Sequence, residues 1–144
     1  MLFAQNTAAG PAVAKAEPVI LRYDPYQHIA SEAWQALDES ERIESVRRYH
    51  RRNRIQLPNE RLHAAIHVIV ENQVALGDTF LARAVLLRLM EEGLDRHEAV
   101  HAIGSVLSEQ LFAALREDGG ADLNAQYVEK LNRLTAESWR KQAP

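Results

Sequence analysis

Cysteine is absent from this 144-residue chain, which excludes disulfides, thiolate metal ligands and cysteine nucleophiles while leaving the redox compartment open. No apolar run approaches the roughly 20 residues needed to cross a bilayer. The opening stretch MLFAQNTAAGPAVAKAEP lacks a basic start and a continuous apolar segment, so no signal peptide is expected and the cytoplasm is the default location. Excess positive charge is missing too. The net charge is -3, which argues against nucleic acid or an anionic membrane as partner. Neither a serine-nucleophile elbow nor a glycine-rich phosphate loop is present; EDGGAD has the wrong spacing and context.

What the chain does have is a soluble balance, with 47% hydrophobic and 26% charged residues, and the length of one domain with a single core. Residues 1–18, interrupted by Gly10, Pro11 and Pro18, read as a flexible tail, and 19–144 as a single helical domain. VILRY looks like a short extended lead-in. Helix signals then follow almost without pause. Asp24-Pro25 resembles an N-cap with proline at the first helical position, and Asp38 to Glu41 fits a capping box. Pro58 opens a third segment that Gly77 closes, and Asp78 or Thr79 caps a fourth ending at Gly93. Asp95 opens a fifth that runs to Gly119-Gly120, and a last helix is expected from about Asp122 to Arg140. These segments predict an all-α fold, an antiparallel helical bundle of about five to six helices.

The third segment carries the sharpest pattern. From Leu62 to Val70 only His63 and His67 are polar, so this helix should be buried on nearly every side. His63, His67 and Glu71 stand at i, i+4 and i+8 and share one face. Buried imidazoles and carboxylates are costly unless hydrogen-bonded, paired or ligating. On the fifth segment His97 and His101 repeat the i, i+4 spacing, and Glu109 lies eight residues further on. If the third and fifth helices run parallel, as in an up-down bundle, four imidazoles converge and the two glutamates lie beyond them. Nitrogen and oxygen donors without thiolate suit a divalent transition metal, zinc or iron foremost. His63 to Glu71 spans about 12 Å along the axis. Either two ions bind, bridged by Glu71 and Glu109, or one ion binds and Glu71 orients His67 from behind. The simpler alternative is a hydrogen-bonded histidine network or a purely stabilising ion in a non-catalytic interaction module.

HEAVH, residues 97–101, also matches the HExxH pattern of zinc peptidases, in which Glu98 would be the general base. Asp95 at the N-cap, however, puts Glu98 at the third helical position, where capping alone explains an acidic side chain. A metal-dependent hydrolase is the leading reading, with a peptidase third behind the non-catalytic module.

HAAIHVIVENQ (His63, His67, Glu71, Gln73) and HEAVHAIGSVLSE (His97, Glu98, His101, Glu109), with Tyr127 in the last helix, resemble an uncharacterised bacterial family of unknown function. Its members carry HxxxHxxxExQ on one helix and H[DE]xxHA with a later glutamate on another. The resemblance covers roughly residues 57–135. It implies a shared histidine-carboxylate cluster and no particular reaction.

The remaining features have ordinary explanations. RRYHRRNR, Arg47 to Arg54, could meet phosphate, but a solvated helix end accounts for it. His28 and His50 read as surface or hinge residues, although either could add a ligand. Tyr127, Leu131, Leu134 and Trp139 form a stripe that covers the bundle or could serve a homodimer; a small-molecule or protein partner is left open.

Overall fold

Asp38 starts a helix because its carboxylate accepts from the Glu41 N–H at 2.8 Å while the Glu41 side chain accepts from the Asp38 N–H at 2.8 Å. Such local start and stop signals set most element boundaries in the computed structural model, which describes residues 21–116 and 122–142. The expected tail at 1–18 and the Gly119-Gly120 terminator lie outside those residues. The elements are α1 (Ser31–Gln35), α2 (Glu39–Arg52), α3 (Glu60–Ala75), a 3-10 turn (Gly77–Thr79), α4 (Ala82–Glu91), α5 (Arg96–Leu115), α6 (Leu123–Arg133) and α7 (Ala136–Gln142). The fold is an all-α bundle, without a strand among the described residues. None of these helices is long and apolar enough to cross a membrane.

Asn59 caps α3, Asp95 caps α5 and Asp122 caps α6, each through its side chain. Gly77 (φ 62°) and Gly93 (φ 111°) take the left-handed conformation that ends α3 and α4. Three local expectations are corrected. Asp24-Pro25 begins a turn rather than a helix: Asp24 accepts from the Tyr26 and Gln27 N–H groups, and the chain stays non-helical until Ser31. Asp78 and Thr79 belong to the 3-10 turn, and α4 starts after Leu81 with no side-chain cap. The last helix is broken in two, because Leu134 turns extended and Thr135 and Ser138 cap α7 reciprocally at 3.0 Å.

Helix α3 is buried between two apolar clusters. Ala64 and Val68 join Tyr23, Trp34, Val46 and Tyr49 on one side. Val70, with Ile66 and Ile69, joins Val85, Leu89, Ile103 and Leu131 on the other. The His63–His67–Glu71 stripe runs along the seam. Helices α2 and α3 are antiparallel, since Arg42 bonds Asn72 while Arg47 bonds Glu60.

Helices α3 and α5 are antiparallel as well, which overturns the expected parallel arrangement. Glu71 near the end of α3 meets Arg96 at the start of α5, and Ile66, further back, faces Gly104. The reason is length. Helix α4 has ten residues, about 15 Å, against sixteen and about 24 Å for α3. Instead of traversing the bundle, residues 76–95 bring the chain back to the end it left.

Gly104 permits the close approach of α3 and α5: a Cβ there would lie 2.9 Å from Ile66 Cγ2. Gly104→Ala should therefore lower stability by about 1–3 kcal/mol through overpacking, offset by up to about 1 kcal/mol of helix propensity. Denaturant midpoints check this; a stabilised variant would contradict the packing.

Candidate metal centre

Five imidazoles from three helices meet in the seam. His67, 1% exposed, lies at the middle. Its ring centroid is 4.8 Å from His63, 5.0 Å from His101, 5.5 Å from His97 and 5.6 Å from His50. Helical spacing supplies the pairs on α3 and α5, and the antiparallel crossing sets His101 against both His63 and His67. His67 Nε2 and His101 Nε2 are 3.1 Å apart. Two nitrogens about 2.0–2.1 Å from one tetrahedral zinc would be about 3.3–3.4 Å apart, so little adjustment is needed. Two triplets bring their ligand atoms within 4.8 Å of one another: His50, His63 and His67, and His67, His97 and His101.

Two further observations fit an ion. His50 Nδ1 and His97 Nε2 are buried without a hydrogen-bond partner. Such an atom ordinarily costs about 1–3 kcal/mol, and a metal ligand is one way to satisfy it. Burial, reinforced by neighbouring imidazoles, also holds His67 well below its ordinary value and lowers His50 and His101 to about 4. His63 and His97 are lowered chiefly by burial. Neutral imidazole is the ligating form.

The site is reachable. A cleft of about 480 Å³ is lined by His63, His67 and His101, with apolar walls that include Leu62, Ile66, Val100 and Trp139.

Glu71 is brought to the cluster but not into it. Arg96 grips both its oxygens, with Nη2–Oε1 2.8 Å and Nη1–Oε2 2.9 Å. The Tyr23 hydroxyl donates to Glu71 Oε2 at 2.7 Å and lies 3.0 Å from His67 Nδ1. Arg96 also donates to the Pro25 carbonyl at 3.0 Å. Every member of this group is buried. The two neighbours of Glu71 are engaged as well. Asn72 accepts from Trp34 and Arg42, and Gln73 accepts from the Tyr127 hydroxyl at 2.7 Å. The ENQ triplet thus ties α3 to three different parts of the chain.

Glu109 departs from expectation. Because α5 runs opposite to α3, residues beyond His101 move away from Glu71 rather than toward it. Glu109 is exposed and pairs with Lys130 at 3.5 Å, so no ion can be bridged by Glu71 and Glu109. Glu98 is exposed at the third position of α5, where its N–H donates to Asp95 at 2.8 Å. His28 is exposed. In the arginine run, Arg47 pairs with Glu60, Arg48 and Arg51 pair with Glu44, and Arg52 donates to the Tyr23 carbonyl.

His50, expected at the surface or a hinge, is 1% exposed and its ring lies 5.0 Å from His63. The apolar period through Val46 and Tyr49 places it on the buried face of α2 and could have revealed it. Tyr23 and Arg96 carried no local signal at all.

These features define an all-α protein with a buried histidine centre open to a cleft. The chain belongs to the family described as a domain of unknown function, DUF1841, which matches residues 30–133. The matched span contains all five clustered histidines, Glu71, Arg96 and Tyr127, while Tyr23 precedes it. No curated protein and no solved structure matches the chain.

Two outcomes follow. Arg96→Met leaves Glu71 buried without its cation and should cost about 3–5 kcal/mol in chemical denaturation; a loss under about 1 kcal/mol would contradict a buried pair. For the metal-free protein, folded His50 and His101 take up protons only near pH 4, whereas unfolded histidines do so near about 6.5. Between those values the unfolded chain binds more protons, so stability is full above about 6.5 and declines as pH falls toward 4. Thermal melts in chelator across that window check the sign.

Proposed function

We propose that this protein is a metal-dependent hydrolase in which His67, His97 and His101 hold one divalent transition-metal ion, zinc or iron. The observation that carries the reading is the juxtaposition of this triplet with the cleft: His67 and His101 line it, and His97 adjoins them with an unpartnered Nε2. One ion is favoured over two because His67 belongs to both triplets. Its Nδ1 lies against Tyr23, which leaves only Nε2 to ligate.

Three neutral ligands would leave the full charge on the ion, which would supply Lewis acidity and activate water for attack near neutral pH. His63 lines the cleft beside His67 and His101 without belonging to their triplet. Neutral and within 4.8 and 5.2 Å of their rings, it is placed to take a proton from an attacking water. This role needs neither Glu98 nor Glu109. The apolar walls suit a substrate with a hydrophobic portion next to the scissile bond. The second reading is a non-catalytic ion that stabilises the bundle, favoured by the burial of His67 and His97.

Metal analysis of purified wild type should find a stoichiometric ion that His67→Ala and His101→Ala lose and His63→Ala keeps. Wild type that is metal-free, yet folded and stable in chelator, sinks the proposal. With cobalt substituted, acetohydroxamate should perturb the visible spectrum if a coordination position opens to the cleft. An unchanged spectrum favours the stabilising ion.

A further inference from the structure

The segment ahead of α1 does more than cover the core: Tyr23 stands between a fixed carboxylate and the central imidazole. The guanidinium of Arg96 faces both oxygens of Glu71, which leaves that carboxylate with acceptor capacity only. Tyr23 has one hydroxyl proton, and Glu71 Oε2, 2.7 Å away, receives it. Toward His67 Nδ1, at 3.0 Å, the Tyr23 oxygen can therefore only accept. A neutral imidazole has a single N–H, so placing it on Nδ1 leaves Nε2 bare.

From this geometry we infer that Tyr23 is a positioning residue, relaying Glu71 to His67 so that His67 is held as the Nδ1–H tautomer with its Nε2 lone pair turned into the cluster. Without metal, the Nε2 lone pair of His67 faces His101 Nε2 at 3.1 Å, and His101 must then carry its proton on Nε2. The two histidines thus differ: His67 is already in its ligating tautomer, and His101 must change when an ion enters.

The relay rests on the proposed centre for its purpose but not for its existence, and metal-free protein tests it. Long-range proton–nitrogen correlation spectra of the wild type in chelator above pH 7 should assign His67 as Nδ1–H and His101 as Nε2–H. In Tyr23→Phe, which keeps the buried ring, the Nε2–H form of His67 should become populated, and zinc affinity by chelator competition should fall about 10- to 100-fold. His67 found as Nε2–H in the wild type overturns the inference whether or not the variant folds. So does an unchanged tautomer and zinc affinity in Tyr23→Phe. Wild type with the expected tautomer but no affinity for zinc supports the relay and refutes the metal centre, which separates the two.

Discussion

The ion pair between Glu71 and Arg96 governs the arrangement around it. It joins the C-terminal part of α3 to the first residue of α5, and through Tyr23 and Pro25 it holds the segment before α1 against both. A buried pair is tolerable only when its remaining hydrogen-bonding capacity is met. Here the Tyr23 hydroxyl completes Glu71 and the Pro25 carbonyl takes a further Arg96 proton. The short return through α4 runs α5 back along α3 to this point, and its histidines one turn apart fall opposite those of α3. The histidine cluster and the ion pair both follow from the antiparallel crossing.

The seam between the two apolar clusters gives the centre its character. A histidine there is removed from water by Val68 and Tyr49 on one side and Val100 and Ile103 on the other. Burial makes protonation expensive, and each neighbouring imidazole adds to the penalty. The result is a cluster of five imidazoles, three of which line an open cleft, with the Glu71 carboxylate beside it already committed to arginine and tyrosine. Such a site can hold a cation without cancelling its charge.

Much of the pattern was legible because it is local. The i, i+4 histidines of α3 and α5, their placement on buried helices, and the Asp95 cap that accounts for Glu98 all depend on helical period and end chemistry. The resemblance to a family of unknown function is borne out by the match over residues 30–133. Glu109 was misjudged for a reason that is not local. Its face on α5 is set by periodicity, but its distance from Glu71 depends on which way α5 runs. His50 was hidden by arginines on either side, whose charge outweighed the apolar spacing that points it inward.

The sequence by itself determined the helices, their caps and the stripe of polar side chains that a buried helix must satisfy, since all of these follow from contacts within a few residues. Only the tertiary structure decided which partners satisfy that stripe. The direction of α5, set by the short return through α4, put Arg96 rather than a ligand site on Glu71. It also sent Glu109 to the surface beside Lys130. The packing of a non-helical segment brought Tyr23 to His67, 44 residues away, a pairing that no periodicity records.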